Sequence, residues 1–372
     1  MDCYWLYVGL AFVLSLLSGF VVTPHILDLC LKRKLYDLPN ARKVHHFAVP
    51  RLGGIAFIPC MFFAFLVSIY VFNCVNDKLP VGISLWTCTF VVSLFMIYVV
   101  GLIDDVVGLG APVKFLVQII AASLLPICNL YINDLHGFLG IHEIPFWIGA
   151  PLTVFVMVFI DNAMNLIDGI DGLASGLALM ALAVFLACFG RNHVWTYCVL
   201  IAGLMGVLCS YFYFNVFGSA ERGRKIFMGD SGSLTLGFIL GFLVVKLMMN
   251  SPRLMPAEGY ELMLAYTMLI VPCFDVVRVV IVRLRLGQPL FKADKRHIHH
   301  KLLRCGLSQH GTLVVILLLQ AFFVFINMLM WCPLGMTGMV VVDILAYVAF
   351  HLTLDHVARR KAESDEGLLK KA

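Results

Sequence analysis

The chain has 372 residues, 61% of them hydrophobic and only 13% charged, whereas soluble domains average about 45–50% apolar and about 25% charged residues. With a mean hydropathy of +0.95, this composition excludes a disordered chain, a coiled coil and an ordinary soluble α/β enzyme. The formal net charge of +5 is too small to suggest nucleic-acid binding. We therefore expect an all-α, polytopic membrane protein that forms a single domain over residues 1–372.

Eleven apolar stretches are long enough to form a transmembrane helix, which needs about 20 residues. They are Trp5–Leu27, Leu52–Phe72, Ile83–Ile103, Lys114–Ile132, Trp147–Ala163, Leu173–Gly190, Thr196–Val216, Gly232–Met249, Tyr260–Val282, Leu313–Trp331 and Gly338–Val357. The first stretch lacks the flanks of a cleaved signal peptide, so we expect it to be a membrane anchor.

Basic residues divide unequally between the two sides that eleven spans define. The side of the first loop carries 22 of the 27 Lys and Arg residues, and the other side carries three. Positive residues mark the cytoplasmic side of a membrane protein. The distribution predicts an outer N-terminus and a cytoplasmic C-terminus, with residues 358–372 as a cytoplasmic tail.

The polar clusters of the sequence all fall at the predicted cytoplasmic ends of the spans. A proton-coupled carrier would instead place ionisable groups near the middle of its spans, with access from both sides. The one-sided arrangement favours an enzyme that acts on a cytoplasmic polar substrate beside a lipid substrate. A proton-coupled carrier, a transporter rather than an enzyme, is the alternative function.

Two basic segments precede the second span, residues 42–46 (RKVHH) and residues 50–54 (PRLGG). A basic loop followed by a glycine-bearing helix start suits phosphate binding, here with Arg51. The same residues equally suit a simple positive-inside anchor.

An acidic pair, Asp104 and Asp105, ends the third span. Mg²⁺ prefers carboxylate oxygens, and two like charges this close raise the pKa of one of them, which suits a proton acceptor. Carboxylates at a helix C-terminus are unfavourable with respect to the helix macrodipole, so two of them there suggest a functional role. A solvated helix end without a ligand is the alternative interpretation. Lys114 follows the pair as a possible phosphate partner.

Residues 161–172 (DNAMNLIDGIDG) hold three Asp and two Asn beside the membrane. On a continuing helix Asp161, Asn165 and Asp168 would share one face, with Asp171 three residues beyond. The glycines allow the backbone to approach a ligand closely. A polar turn without a ligand is the alternative.

Residues 226–233 (IFMGDSGS) directly precede the eighth span. A Gly/Ser-rich turn at a helix start offers free N–H groups to a phosphate. Asp230 would repel a bare phosphate, so it fits best as a ligand to the phosphate's metal ion, and Phe227 would stack on a base. Asp230 or Ser231 would also serve as an ordinary N-cap.

Residues 294–301 (DKRHIHHK) lie in the longest inner loop. We expect His297, His299 and His300, with the flanking Lys and Arg, to form a cationic patch for a diphosphate. Zinc is the rival interpretation, but the spacing and the lack of a nearby Cys do not suit a structural zinc site.

Two further acidic residues lie inside predicted spans. Asp275 and Arg278 are three residues apart in the ninth span, which predicts an intrahelical ion pair. Asp343 in the last span has no evident role.

Together and in this order, the motifs resemble those of the polyprenyl-phosphate N-acetylhexosamine-1-phosphate transferase superfamily (glycosyltransferase family 4). Its members are multi-span enzymes that move a sugar-1-phosphate from a UDP-sugar to a polyprenyl phosphate and release UMP. The H-I-H-H form resembles the bacterial branch with UDP-N-acetylglucosamine-type donors, whereas the peptidoglycan branch typically has three consecutive His. The same chemistry with the UDP-muramyl-pentapeptide donor of peptidoglycan synthesis is the alternative function. Several relatives carry a third Asp where this chain has Gly108.

The resemblance implies an Mg²⁺-dependent enzyme, with Mn²⁺ as a possible substitute. Asp230 would be the main metal ligand, with Asp168 and Asp171 lining the same site. Asp104 would deprotonate the lipid phosphate, and Asp105 would be its partner on the metal side. The implied substrate contacts are Arg51, Lys114, Asn165, Phe227, His297, His299 and His300.

The implied partners are a UDP-N-acetylhexosamine, undecaprenyl phosphate and the bacterial inner membrane, and a homodimer is possible. Because one anionic phosphate attacks another, catalysis would depend on positioning and charge neutralisation. Direct attack is favoured, and a two-step path with Asp168 or Asp171 as the nucleophile stays open. The pattern of CDP-alcohol phosphotransferases is absent, because Ile-Asp-Gly-Leu follows Asp168-Gly169.

Overall fold

A computed structural model describes residues 2–37, 48–76, 85–250, 259–289 and 295–369 of the chain. Its helices are α1 (Asp2–Arg33), α2 (Phe57–Asn76), α3 (Leu85–Val107), α4 (Ala111–Ile127), α5 (Phe146–Ile167), α6 (Leu173–Arg191), α7 (Trp195–Phe212), α8 (Gly229–Met248), α9 (Gly259–Met268), α10 (Ile270–Arg285), α11 (Ile298–Arg304) and α12 (Gln309–Leu369). Two antiparallel strand pairs are β1 (Tyr36–Asp37) with β2 (Val49–Pro50) and β3 (Asp134–Phe138) with β4 (Ile141–Glu143). A 3₁₀ turn over Gly53–Ala56 precedes α2, and a π-helical segment over Tyr213–Phe217 extends α7.

Eight helices within the described residues are long and apolar enough to cross a membrane, which confirms a helical, multi-pass membrane protein. Each of the eleven predicted stretches falls on a helix. The fourth ends early, because α4 stops at Ile127 and has only 17 residues. The last two lie in α12, which is interrupted by non-helical backbone at Gly335 (φ 61°, ψ −175°).

The ninth predicted span is broken rather than continuous. α9 and α10 meet at an angle of 60°, with Leu269 between them. Pro272 accounts for the break, because a proline has no N–H for the carbonyl four residues earlier and its ring clashes with that carbonyl. The side chain of Gln320 on α12 bonds both sides of the break: its Nε2 donates to the Thr267 carbonyl at 2.7 Å, and its Oε1 accepts from the Val271 N–H at 3.4 Å.

α8 is the central helix of the bundle, and nearly all of its side chains are buried. Close packing against α5 depends on Gly237, where a Cβ would lie 2.7 Å from the Cα of Asp161. Outer helices such as α1 and α12 expose large apolar side chains, including Leu17 and Leu318, as expected for surfaces that face lipid. The fold therefore places the N-terminus of α8, and Asp230 with it, in the middle of one end of the bundle.

Candidate active site

The N-terminus of α8 is capped by a carboxylate from another helix. Asp105, at the end of α3 and only 3% exposed, accepts hydrogen bonds from the N–H groups of Asp230 at 2.8 Å and Ser231 at 2.9 Å. The expectation that Asp230 or Ser231 would cap the helix with its own side chain is wrong. Gly229 has φ +72°, and a Cβ there would collide with the Arg51 carbonyl oxygen, so this turn requires glycine.

The PRLGG segment lies directly against the segment that opens α8. The Phe227 N–H donates to the Pro50 carbonyl at 2.7 Å, and the Phe227 carbonyl accepts from the Gly53 N–H at 2.9 Å. The Gly54 N–H donates to the Met228 carbonyl at 2.8 Å. Two motifs more than 170 residues apart in the printed sequence are therefore joined through backbone hydrogen bonds.

Lys114 bridges two carboxylates at this end of the bundle. Its Nζ lies 2.6 Å from Asp230 Oδ2 and 3.3 Å from Asp104 Oδ2. The other oxygen of Asp104 accepts from the Leu109 N–H at 2.6 Å. The arrangement explains why acidic residues occupy the end of α3: Asp105 caps α8, and Asp104 shares a cation with Asp230.

Asn165 on α5 also contacts Asp230. Its Nδ2 donates to Asp230 Oδ1 at 3.2 Å and to Ser233 Oγ at 2.8 Å. Asp161 and Asn165 lie four residues apart on α5, as expected, but Asp168 does not continue their face, because α5 ends at Ile167. Asp161 points to a different partner, described below, and Asp168 lies in the turn beyond the helix.

The two carboxylates of the DGIDG turn have different surroundings. Burial, together with the nearby charges of Asp230, Asp171 and Asp105, raises the pKa of Asp168 to about 7. Asp171 Oδ2 instead pairs with Lys225 Nζ at 2.6 Å. Of the two, only Asp171 therefore has a direct cationic partner among the described residues.

Asn215 in the π-helical segment forms hydrogen bonds both to this turn and to the segment that precedes α8. Its Oδ1 accepts from the Gly172 N–H at 2.6 Å, and its Nδ2 donates to the Ile226 carbonyl at 2.9 Å. Sequence reasoning missed Asn215, because it lies in an apolar stretch. A buried Asn there was the available signal, since such a side chain needs partners.

The histidine segment reaches the same turn from the other side. The ring of His299 packs so closely on Gly169 that a Cβ at this glycine would collide with it. Burial, with a smaller effect of His300, lowers the pKa of His299 to about 3. Burial therefore favours the uncharged imidazole of His299 at neutral pH. His297 donates from Nδ1 to Asp275 Oδ2 at 2.8 Å.

A cavity of about 1280 Å³ opens beside these groups. Its polar end contains Lys114, Asn165, His299 and His300. From there it runs between α4, α5 and α10 past mainly apolar side chains, which include Phe115, Ile119, Pro126, Phe146, Val154, Phe155, Phe159, Val276, Val280 and Ile281. Arg283, another residue that sequence reasoning missed, also lines the cavity.

A buried amide network lies one helical turn below Lys114 and Asn165. Gln118 on α4 donates to Asp161 Oδ2 at 2.9 Å, and its Oε1 accepts from Asn162 Nδ2 at 2.9 Å. The network joins α4 to α5 and so fixes the spacing of the two side chains that bind Asp230. Its signal in the sequence was Gln118, a polar residue within an apolar helix.

The donor set suits a hard cation that also binds substrate. No group of three or more His, Cys, Asp or Glu side chains within the described ranges has the geometry of a complete metal site. Mg²⁺, however, is commonly held by one or two carboxylates and the phosphates of the substrate. Asp104 and Asp230 meet that description, because their oxygens already converge on one cation, Lys114. The residues RKVHH (42–46) and Asp294 lie outside the described residues.

Fold and site together define a multi-pass membrane protein with acidic, amide and imidazole side chains gathered at one end of an apolar cavity. The family model for glycosyl transferase family 4 matches residues 86–248, which include Asp104, Asn165 and Asp230. The chain is 32% identical over 325 residues to a protein of Bacillus subtilis (strain 168) named as a probable undecaprenyl-phosphate N-acetylglucosaminyl 1-phosphate transferase, covering 84% of this chain and 82% of the relative.

Two further relatives carry the name undecaprenyl-phosphate alpha-N-acetylglucosaminyl 1-phosphate transferase. The one from Yersinia pestis is 28% identical over 305 residues, 80% of this chain and 78% of the relative. The one from Escherichia coli (strain K12) is 28% identical over 301 residues, 79% of this chain and 76% of the relative. The chain belongs to glycosyl transferase family 4, which confirms the resemblance drawn from its motifs.

Proposed function

We propose that this protein transfers N-acetylglucosamine-1-phosphate from UDP-N-acetylglucosamine to undecaprenyl phosphate and releases UMP. The product would be the lipid-linked first sugar of a cell-surface polysaccharide, made at the cytoplasmic face of the bacterial inner membrane. The names of the Bacillus, Yersinia and Escherichia relatives support both the sugar and the lipid.

One structural observation carries the proposal. Lys114 lies at the polar end of a cavity whose walls are otherwise mainly apolar, and its ammonium pairs with Asp104 and Asp230 to form a charged centre there. An acceptor with a phosphate head and a polyprenyl tail has the same division of polarity. The head would lie beside Lys114, and the tail would follow the apolar walls between α4, α5 and α10.

We propose eleven membrane spans. The eight long helices, α4, the bent pair α9–α10 and the division of α12 at Gly335 account for this number. The excess of Lys and Arg on one side then supports an outer N-terminus and a cytoplasmic C-terminus. In that orientation the charged centre faces the cytoplasm, where nucleotide sugars are made.

Asp230 and Asp104 would hold Mg²⁺ together with the donor's diphosphate, and Asp168 lies near enough to contribute electrostatically. The ion would neutralise charge on the diphosphate during phosphoryl transfer. Asn165 supports this role, because its donation to Asp230 Oδ1 fixes the orientation of the carboxylate.

The chain's own residues favour direct attack by the lipid phosphate. An oxygen of that phosphate would bond to the sugar-linked phosphorus, while the bond from this phosphorus to the oxygen of UMP breaks. Lys114 would lower the repulsion between the two anions. Asp104, whose Oδ2 lies 3.3 Å from Lys114 Nζ, would take the proton of the lipid phosphate.

The surroundings of the DGIDG turn support the two-step alternative less well. Asp171 is engaged with Lys225. Burial raises the pKa of Asp168, which disfavours the ionised carboxylate that a nucleophile requires. A positioning role for Asp105 fits better than direct catalysis, since both of its oxygens accept hydrogen bonds from α8.

UMP release by the purified protein tests the proposal. We expect release with UDP-N-acetylglucosamine only when undecaprenyl phosphate and Mg²⁺ are both present, and loss of release after chelation. A panel of UDP-sugars that includes the muramyl-pentapeptide donor tests the sugar. Release of UMP without the lipid, or transfer from the muramyl donor alone, would contradict the proposal.

A further inference from the structure

Asp275 on α10 is a fully buried carboxylate with three hydrogen-bond donors. Its Oδ1 accepts from Arg278 Nη2 at 2.8 Å and from the Ile298 N–H at 3.0 Å. Its Oδ2 accepts from His297 Nδ1 at 2.8 Å. The expected intrahelical pair with Arg278 is confirmed, but two of the three donors come from the histidine segment.

Arg278 binds the same segment a second time. Its Nη2 also donates to the Arg296 carbonyl. Asp275 and Arg278 therefore hold Arg296 and His297, which lead into α11, and Ile298, its first residue. Because α11 has only seven residues, it is too short to be stable alone and depends on such anchors.

The opposite side of α11 rests on α12. Lys301 Nζ lies 2.8 Å from Asp355 Oδ1, and Cys305 Sγ donates to the Leu354 carbonyl at 3.5 Å. Asp275 and Arg278 hold α11 at its N-terminal end, where the three histidines lie, whereas the contacts with α12 hold Lys301 and Cys305 further along the chain. Asp275 and Arg278 therefore determine where the three rings lie relative to the cavity.

The three rings form a histidine cluster at the cavity wall, in which His297 and His299 are stacked and His300 is tilted by 48° against His299. His297 and His299 are parallel, with ring centroids 5.9 Å apart, and the rings of His299 and His300 are 4.3 Å apart. All three line the cavity. His299 Nδ1 is buried and has no hydrogen-bond partner in the described part of the chain, which points to a ligand that completes its bonding.

We propose that Asp275, with Arg278, is a positioning residue that orients the His297–His299–His300 cluster for contact with the diphosphate of the nucleotide-sugar donor. The inference rests on the proposed function. A carboxylate accepts from all three donors at once. An amide at this position would either turn its N–H towards another donor or hold His297 in the other tautomer, with Nδ1 as the acceptor. Since His297 gives Nδ1–H to Asp275, its Nε2 is the ring nitrogen left for a ligand, and it donates to a diphosphate oxygen when it also carries a proton.

The test compares Asp275→Asn with Asp343→Asn. Asp343 is an equally buried acid on α12, bonded to Asn327 at 3.0 Å, and it does not touch the histidine segment in any described contact. For Asp275→Asn we expect the KM for UDP-N-acetylglucosamine to rise about tenfold with kcat changed by less than about threefold, the pattern of lost ground-state binding. For Asp343→Asn we expect an unchanged KM.

Donor binding is also measured without turnover. UDP-N-acetylglucosamine, added with Mg²⁺ but without lipid, should raise the melting temperature of the wild type and of Asp343→Asn. We expect this shift to be largely lost in Asp275→Asn. An undiminished shift, or a loss of kcat with an unchanged KM, would overturn the inference.

A double-mutant cycle separates positioning from general destabilisation. If Asp275 acts through the histidine cluster, adding Asp275→Asn to the His300→Ala variant should raise its KM little further. Fully additive effects would overturn the inference. If Asp275→Asn does not fold, Arg278→Lys replaces it in the same cycle, because both contacts come from Nη2 and a lysine side chain is one bond too short to place its ammonium there.

The two proposals fail in different ways. A wild type that releases no UMP with any UDP-sugar contradicts the proposed function. A wild type that does release UMP, with Asp275→Asn and Arg278→Lys both unchanged in KM and in donor-induced melting shift, contradicts only the positioning role.

Discussion

At the scale of single residues, the carboxylates of Asp104, Asp105 and Asp230 each have a partner that offsets their negative charge. Asp104 and Asp230 share Lys114, and Asp105 uses the positive end of α8, where a carboxylate is favourable. The carboxylates thus have separate partners and do not repel one another unopposed.

Lys114→Met leaves Asp104 and Asp230 without their shared cation. We expect kcat/KM for UMP release to fall about a hundredfold, as when one preorganised electrostatic group is removed. Lys361→Met on the exposed end of α12 is the matched control and should be silent. Equal activity of the two variants would contradict the role of Lys114.

His299 predicts a pH effect on stability. Its pKa is about 3 in the folded protein against an ordinary 6.5, so between these values the unfolded chain binds a proton that the folded protein does not. The folded state therefore loses stability as the pH falls below 6.5, by up to about 1.4 kcal/mol per pH unit. His299→Gln should show a smaller drop in melting temperature from pH 7.5 to pH 5.5 than the wild type. An equal drop would contradict a buried neutral His299.

The sequence predicted the main residues of the candidate site, but it did not predict several of their hydrogen-bond partners. Asn165, Lys114 and Asp230 lie in polar segments beside apolar spans, and the structure brings them together. The bond between His297 and Asp275 joins residues 22 positions apart, one at the N-cap of α11 and the other on α10. Local spacing predicted only the Arg278 partner, because tertiary contacts have no fixed sequence period.

At the scale of elements, two helix ends decide where the site groups lie. The cap on α8 fixes Asp230, and the break between α9 and α10 turns α10 so that it lines the cavity. Hydropathy located the long apolar helices, because a helix that crosses the lipid core needs about 20 apolar residues. It missed the break, although Pro272 was the visible signal, since apolar composition continues across it.

Asp105→Asn keeps only one acceptor oxygen for the two N–H groups of α8. We expect a loss of about 1–2 kcal/mol of stability, the usual cost of a lost cap, together with reduced activity. Asp230→Ala should instead abolish Mg²⁺-dependent release of UMP while the melting temperature changes little. Thermal unfolding and UMP release of both variants check this contrast. An inactive Asp105→Asn of unchanged stability would contradict the capping role.

Gln320→Leu removes the side chain that bonds both sides of the helix break. Buried backbone groups at Thr267 and Val271 would lose their partner, at a cost of about 1–3 kcal/mol each. We expect a lower melting temperature and a higher KM for undecaprenyl phosphate, because α10 lines the cavity. Leu318→Ala on the exposed face of α12 is the control. Unchanged stability of Gln320→Leu would contradict the bridging role.

At the scale of the molecule, segments far apart in the chain form one site because each lies at the same end of the bundle. The acidic pair, the DGIDG turn, the start of α8 and α11 contact one another directly or through one intermediate. The hairpin β3–β4 lies at the other end of α8, where Asn133 Nδ2 donates to the Asn250 carbonyl at 2.9 Å.

Labelling of single cysteines with a membrane-impermeant maleimide tests this convergence most directly. The twelve natural cysteines are first replaced by serine, and activity is checked. Gly110→Cys, Glu221→Cys and Ser308→Cys, all at exposed positions near the site, should react in inside-out vesicles and not in intact spheroplasts. His142→Cys in β4 should show the reverse. If any of the three site positions reacted from the outside while another reacted from the inside, the segments could not share one site, and the account would be contradicted.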